Sequence, residues 1–597
     1  MYKQQSGGPS NSVELTFSAR KLADRDVFSK SDPILVMYRE GTDGGLAREV
    51  GRTEQIQNSL NPNWNKKIKI DYFFEAKQPL IFKLYDIDTN STRLDEQDFL
   101  GQASCDLADI VAAPNGYLTL KLSGAKYVKG SLIVHADEVD QGQRQVMEFK
   151  IQGINLSKKS LFSKPNPFLE FYRFLPDGTR QLAYRSSVCQ NTVNPEWPAF
   201  EISAQSLSGL DTDQEFLIEC YAHRTNGSHK FIGSIRCSLN QLNGKTGLTI
   251  PLRNDKKSKQ VTETDAPFGS LRFNKSILRR EYSFLEYLAS GLQLEFAVSV
   301  DFTASNGPIH SCQSLHYIDS RYPNQYELAI RSVLEICEHY NHRKIFDAMG
   351  FGAKIPPNFD VRHLFPLTLN PQQRGVLGTQ GVLNAYKNCL KNTQLYGPTN
   401  FEPSIQEFAQ KARLFPKDGT RYQILLIITD GVITDMAKTK AAIVNASSLP
   451  LSIIIVGVGQ EDFEKMEELD SDDVTLTANG RTAKRDIVQF VPFRQFMPST
   501  GIHSEIEREN TQARLAKEVL AEVPDQVTSY MKSMNIAARP APSVPPAYEL
   551  ESQTSQDYPS TYPSLNYDNQ QTAPPYPTEN HFSNQPPMNP NYSYGAV

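Results

Sequence analysis

Two short stretches concentrate carboxylates. One runs Asp26-Val-Phe-Ser-Lys-Ser-Asp32-Pro33, the other Asp86-Ile-Asp88-Thr-Asn-Ser-Thr-Arg-Leu-Asp95-Glu-Gln-Asp98-Phe-Leu-Gly101. Carboxylates this dense repel one another, and each makes the next harder to ionise. A hard cation reverses that cost. Calcium accepts about six to eight oxygen ligands in flexible geometry, and carboxylates supply them. Asp86 and Asp88 stand two positions apart where a strand ends, so both can turn toward one centre. A solvated acidic loop is the alternative for either stretch taken alone. A second Asp-bearing loop favours a metal.

A third constellation is poorer in charge and richer in hydroxyls. Asp301-Phe-Thr303-Ala-Ser305 follows the apolar run Leu292–Val300, and Asp430-Gly431 follows Gln423-Ile-Leu-Leu-Ile-Ile-Thr429. Both stand where a strand would end. In open α/β sheets, sites form beyond the carboxyl ends of strands.

The elements that must carry these residues change character along the chain. Residues 1–137 alternate in the strand manner, as in Val13-Glu-Leu-Thr-Phe-Ser-Ala and Leu80-Ile-Phe-Lys-Leu-Tyr85, and predict a β-sandwich. Residues 138–275 repeat the plan. Ser160-Leu-Phe-Ser-Lys-Pro-Asn166-Pro167 echoes the first acidic stretch, and Asn194-Pro-Glu-Trp197 echoes Asn61-Pro-Asn-Trp64. Two matched landmarks at similar spacing indicate two like domains in tandem. In residues 276–535 the pattern becomes apolar strands alternating with helices, after a helical lead-in over Ser283–Gly291. This predicts a mainly parallel sheet covered on both faces. Residues 536–597 are rich in Pro, Tyr, Asn, Gln and Ser, and should be disordered. Pro545-Pro-Ala-Tyr548 has the form that WW domains read as polyproline II, while a solubilising low-complexity tail is the plainer reading.

At the acidic loops the resemblance is to C2 domains. It implies that Asp26, Asp32, Asp86, Asp88 and Asp98 bind calcium and that the loops then dock on anionic phospholipid. Asp98 is placed by the Phe-Leu-Gly that follows it, with Asp95 a competitor for the fifth place. Val27 and Phe28 are candidates to enter the headgroup region. Bound calcium would cancel the acidic field that otherwise repels anionic lipid.

The second module departs from that pattern. Aligning Phe231-Ile-Gly233 with Phe99-Leu-Gly101 sets Ala222, Arg224 and Lys230 where the first module has acid, and Ser160 and Asn166 replace the other two. Such a site should not hold calcium. Two readings stay open. Arg224, Lys230, His223 and His229 bind acidic lipid or a phosphorylated partner, or the module is a structural spacer with drifted loops.

The third constellation resembles the metal-ion-dependent adhesion site of von Willebrand factor A domains, with Asp-x-Ser-x-Ser, a distant Thr and an Asp-Gly. Asp301, Thr303, Ser305, Thr399 (in Tyr396-Gly-Pro-Thr399) and Asp430 fill the five positions, Thr303 standing for the first Ser. Oxygen ligands with few charges suit Mg2+ or Mn2+. Two C2 modules followed by an A domain is similar to the copine arrangement. Pro323-Asn-Gln-Tyr326, Phe351-Gly-Ala-Lys-Ile-Pro356 and the helical Leu515–Pro524 also resemble that family. The resemblance implies a cytosolic adaptor in signalling or membrane traffic. It would move to the plasma membrane or other membranes when calcium rises, and recruit target proteins through its A domain.

Composition narrows the alternatives. Of 597 residues, 62 are Lys or Arg and 67 Asp or Glu, a net charge of −5 that argues against nucleic-acid binding through a basic surface. The seven cysteines are dispersed, as expected of reduced thiols in the cytosol. Met1-Tyr-Lys-Gln-Gln-Ser-Gly-Gly8 has no apolar core and reads as no signal peptide. The apolar runs Ile424–Ile428 and Leu451–Val458 are too short to span a membrane. No Gly-rich phosphate loop, His-Arg-Asp or Asp-Phe-Gly accompanies the A-domain residues, so an enzyme, for instance a protein kinase, is not supported. A calcium-independent scaffold is the other alternative.

Overall fold

The computed structural model describes residues 11–24, 30–40, 47–89, 93–113, 116–125, 128–139, 144–157, 164–175, 178–209, 211–224, 228–254, 268–319, 321–470, 475–498 and 504–539. The Pro/Tyr-rich tail, with Pro545–Tyr548, lies outside them.

The first module is a sandwich of antiparallel sheets. One has the order Ile68–Tyr72, Asn11–Arg20, Ser131–Glu138, Tyr117–Lys121; the other Arg48–Arg52, Pro33–Arg39, Pro79–Asp86, Asp98–Asp106. Strand alternation buries Val13, Leu15, Phe17 and Ala19 on one face and Leu80, Phe82 and Leu84 on another. The second module repeats this plan. Arg180–Arg185, Pro167–Phe174, Phe216–Ala222, Lys230–Cys237 face Phe200–Ser203, Gln145–Ile154, Ser270–Arg280, Leu248–Pro251. Its core gathers around Phe149, Phe171, Trp197, Phe216 and Phe273 and is self-contained. Its strand Ser270–Arg280 leads, after three residues, into the helix Phe284–Ala289.

The third module is a central parallel sheet in the order Ile345–Phe351, Gln293–Asp301, Arg421–Thr429, Leu451–Gly457, Val488–Pro492. Its strands are nearly all apolar because helices cover both faces. The helix Gln325–Cys337 is set by Asn324, whose side chain accepts from Glu327 N at 2.9 Å while the Glu327 carboxylate accepts from Asn324 N at 3.2 Å. Its Ala329, Ile330, Val333 and Leu334 are buried. The stretch Gly352–Pro357 contains a short strand, Ala353–Ile355.

The first sandwich and the A domain share one continuous apolar core, running from Phe17 and Phe82 through Tyr72 and Phe74 to Phe284, Tyr340 and Phe296. Phe74 lies edge-on to Phe284 with ring centroids 5.0 Å apart and against Tyr340 at 4.6 Å. The Tyr72 and Tyr340 hydroxyls, both buried, are 2.6 Å apart. A polar rim surrounds them: Lys77 with Glu335 at 2.5 Å, His339 Nδ1 with Asp109 Oδ1 at 2.8 Å, and His342 Nε2 with Ala112 O at 2.7 Å.

The junction uses the end of the first sandwich remote from its acidic loops. The strand Pro79–Asp86 starts beside Lys77 and finishes at Asp86, roughly 26 Å further on. The second sandwich also meets the A domain by its far end, where Lys532 pairs with Glu201 and with Glu281. Glu138 ties the three modules, accepting from Arg144 Nη2 at 2.7 Å and from the Ser283 hydroxyl.

Candidate functional site

At the first sandwich's loop end, Asp32, Asp86 and Asp98 are brought together by register. Pro33 pairs with Asp86, and Asp86 pairs in turn with Asp98 on the next strand. Asp86 is fully buried, and its Oδ1 accepts from Asp32 N at 2.5 Å. Asp32 is held in place by Asn58 N at 2.7 Å to Oδ1 and by Gln55 Nε2 at 2.9 Å to Oδ2. Asp88, two residues past the end of its strand, and Asp98, the first residue of the next, are exposed. Gln97 Oε1 accepts from Asp88 N at 3.0 Å and shapes that turn. Asp95 sits on a short 3-10 turn and pairs with Arg93 at 2.6 Å, and the guanidinium holds its carboxyl below the usual carboxylate range. Asp26, Val27 and Phe28 lie outside the described residues.

The second sandwich has the same frame with other residues. Pro167 pairs with Ala222, and Ala222 with Lys230. His223 N donates to Asn166 O at 2.8 Å, as Ile87 N does to Asp32 O at 3.2 Å. Asn191 N donates to Asn166 Oδ1 at 2.7 Å, as Asn58 N does to Asp32 Oδ1. Ala222, Arg224 and Lys230 thus occupy the places of Asp86, Asp88 and Asp98. Asn166 keeps the turn-fixing half of the role of Asp32 without its charge. Ser160 lies outside the described residues.

The A-domain cluster converges from three strand ends. The Asp301 carboxylate is fully buried; Oδ1 accepts from Thr303 N at 2.8 Å and Thr303 Oγ1 at 2.6 Å, and Oδ2 from Thr429 Oγ1 at 2.6 Å. Thr303 Oγ1 and Ser305 Oγ are 2.9 Å apart, and Ser305 Oγ donates to Asp430 Oδ1 at 2.9 Å. Thr399 reaches the same cradle: a Cβ added at Gly431 would lie 3.1 Å from Thr399 Oγ1 and 3.6 Å from Ser305 Oγ. Asp435 fixes the Thr399 loop, accepting from Phe401 N at 3.1 Å and Glu402 N at 3.0 Å. All five residues expected from the sequence therefore meet at one place.

Burial raises the carboxyls of both Asp301 and Asp430 above the ordinary range, and the charge of Asp301 raises Asp430 further. Two carboxylates that resist ionisation side by side, with three hydroxyls around them, form a donor set that a small hard dication fits. The cation would be held by Asp301, Thr303, Ser305, Thr399 and Asp430, directly or through water, and would act as a Lewis acid toward an incoming oxygen. Among the described residues no cluster of three or more His, Cys, Asp or Glu side chains forms a metal site. This cluster has two such residues and takes its other oxygens from hydroxyls.

A copine family model matches residues 314–539, and a C2 domain model matches residues 14–121 and 145–253. The Nicotinic receptor-associated protein 1 of Caenorhabditis elegans is 43% identical over 581 residues, covering 90% of each chain. The Caenorhabditis briggsae protein of the same name is 43% identical over 594 residues, covering 91% of this chain and 93% of its own. The chain belongs to the copine family. Solved structures similar to parts of it include BON1-C2B, with 27% identity and a TM-score of 0.21 over 24% of this chain and 97% of its own. The calcium-bound tandem C2 domains of Extended-Synaptotagmin 2 share 17% identity, with a TM-score of 0.18 over 46% of this chain and 99% of theirs.

Copine architecture is that of a non-catalytic scaffold that can bind phospholipid membranes through C2 domains and engage partners through its A domain. Three residues of the copine A domain were not singled out from sequence. Thr429 ends an apolar strand and looks like one more β-branched strand residue, yet its hydroxyl holds Asp301. Asn306 Nδ2 donates to Asp430 Oδ1 at 2.9 Å, and its own Oδ1 accepts from Tyr326 at 2.7 Å. His316 is fully buried beneath the site, between Asp301 O at 2.9 Å and the Tyr386 hydroxyl at 2.7 Å. Burial lowers its pKa to about 3, so it supports the loop as a neutral imidazole. The seven cysteines are free thiols, and Cys220, Cys237, Cys337 and Cys389 are buried. No described helix is long and apolar enough to cross a membrane.

Proposed function

We propose that this copine is a calcium-triggered membrane adaptor. Its first C2 domain would hold Ca2+ with Asp26, Asp32, Asp86, Asp88 and Asp98 and thereby bind anionic phospholipid. Its A domain would hold Mg2+ or Mn2+ with Asp301, Thr303, Ser305, Thr399 and Asp430 and recruit a target protein whose carboxylate completes the coordination. The observation that carries the reading is the strand register that sets Asp32, Asp86 and Asp98 at adjoining strand ends, with Asp86 buried, although the described side chains do not by themselves form a cluster of three metal-binding acids. A buried carboxylate beside further acids is costly until a cation joins them. The chain would then reside in the cytoplasm and associate with the plasma membrane and other anionic membranes as calcium rises.

The Caenorhabditis relatives are named for association with a nicotinic receptor, which makes a membrane receptor the first class of target to test. Pro545-Pro-Ala-Tyr548 offers WW-domain proteins a separate contact. The deciding experiment is sedimentation of the full chain with phosphatidylserine vesicles across a calcium titration. Wild type should pellet with calcium, and the Asp86→Asn/Asp88→Asn variant should lose the calcium-dependent fraction. Unchanged pelleting of the double variant would show that the calcium loops are elsewhere.

A further inference from the structure

The loop end of the second C2 domain has exchanged acid for base inside the frame it shares with the first, and its described rings pack on one another. The His223 and His229 rings stack with centroids 4.9 Å apart, and both pack on the buried Phe168 ring, at 6.1 and 4.9 Å. His229 Nδ1 accepts from Arg224 N at 3.2 Å, which leaves the proton on Nε2 and the ring able to donate. Arg224 is exposed, and Lys230 opens the adjoining strand.

The acids beneath are engaged elsewhere. Glu170 accepts from Arg185 Nε at 2.7 Å and from Tyr172, and Glu219 accepts from Arg180 at 2.7 Å and from Tyr221 at 2.7 Å. Arg180 and Arg185 are thereby neutralised. Among the described residues, no ion pair links a carboxylate to Arg224.

Position selects the partner. The strand Ser270–Arg280 begins beside the loops, where Ser270 pairs with Ile154, and ends at the A domain roughly 35 Å away. Both sandwiches meet the A domain by their far ends, so the loop tips of each project away from it. Basic side chains at a tip held clear of the A domain suit an anionic headgroup surface. We propose that His223, Arg224, His229 and Lys230 form a calcium-independent site for anionic phospholipid headgroups. It acts as a weak standing contact that raises the effective concentration of the first domain's loops at the membrane. Only this avidity, and not the site itself, rests on the calcium reading above.

The test uses the full chain and vesicles of phosphatidylcholine with or without phosphatidylserine, in chelator and across a calcium titration. Wild type in chelator should pellet in part with phosphatidylserine vesicles, less so at high salt, and not with phosphatidylcholine alone. Arg224→Glu/Lys230→Glu should weaken that calcium-free binding by at least about tenfold. The same variant should move the calcium half-point upward. Asp86→Asn/Asp88→Asn, which removes acid that repels anionic lipid, should bind at least as well as wild type in chelator and lose the calcium-dependent increment, which separates failure of this site from failure of the calcium loops. If the double charge reversal lowers the melting temperature, Arg224→Glu alone, at an exposed loop position, carries the test. The proposal is overturned if wild type does not pellet with phosphatidylserine in chelator, or if the charge reversals leave that binding unchanged. Binding of a phosphoserine peptide without binding of vesicles would overturn it in favour of a phosphoprotein partner.

Discussion

The two sandwiches share a frame and differ in charge and in attachment. Pro33–Asp86–Asp98 and Pro167–Ala222–Lys230 are the same cross-strand triplet, and Asp32 and Asn166 hold the same turn through the same backbone bonds. The fold does not depend on which residues fill the loop positions. Three substitutions within an unchanged register convert a set of acids into an apolar residue and two cations. Attachment differs as well. The first sandwich runs its core into the A domain, while the second keeps its own and is joined by a strand-to-helix run and an ion-pair rim.

The largest effect expected from this comparison is on charge. In the first domain, Asp86→Asn/Asp88→Asn should abolish calcium-stimulated vesicle binding. Restoring acid in the second, by Ala222→Asp, Arg224→Asp and Lys230→Asp with Ser160→Asp and Asn166→Asp, should create calcium uptake measurable by titration calorimetry on the first-domain double variant. No heat above that of the unrepaired variant would mean that register alone does not carry the site.

Attachment gives the next effect. Phe74→Ala should cost roughly 3–5 kcal/mol and lower the melting of the first sandwich and the A domain together. Ile202→Ala, in the separate core, should cost roughly 2–5 kcal/mol and melt the second sandwich early. Calorimetric scans distinguish the two, and independent melting of the first sandwich in Phe74→Ala would contradict the shared core.

A smaller effect belongs to the A-domain cluster. Asp430→Asn removes a buried carboxyl that is hard to ionise, so the chelated protein should melt higher than wild type. Added Mg2+ should stabilise wild type by about 2.7 kcal/mol at a hundredfold excess over its dissociation constant and leave the variant unmoved.

The smallest concerns His339 and Asp109. Burial alone would lower the His339 pKa, but the Asp109 hydrogen bond and charge outweigh it and the net shift is upward. Burial likewise opposes, and His339 overcomes, the downward shift of Asp109. A raised histidine contributes fully below its unfolded value of about 6.5, and the contribution fades as pH rises through the folded value. A lowered aspartate contributes above about 3.9 and loses it as pH falls through the folded value. The pair therefore supports the junction most between those limits. His339→Gln should flatten the difference in melting temperature between pH 6 and pH 8.

What was legible in the sequence was what short-range pattern encodes. Alternation in Val13–Ala19 set one sandwich face, and the apolar runs at Gln423–Thr429 and Leu451–Gly457 marked covered parallel strands. The five A-domain ligand candidates stood at strand ends, where loop residues of the right type are few. Partners created by folding were not legible. Tyr72 and Tyr340 are 268 residues apart, and neither differs in type from any core tyrosine. His316 has no signal of type or spacing, because its role depends on lying beneath Asp301. Asp98, placed by the Phe-Leu-Gly that follows it, is set opposite Asp86 by strand pairing, and the pairing of its competitor Asp95 with Arg93 has no sequence signal.

The shared core also changes what a fragment would report. Cutting after Glu138 would leave Tyr72, Phe74 and the Leu107–Val111 helix without their covering from Phe284 and Tyr340. A fresh apolar face of that kind drives self-association. Such a fragment would pellet with vesicles partly by clumping, and its apparent calcium affinity would carry that artefact. Binding by the first domain is weighed cleanly only in a piece that keeps the A domain with it.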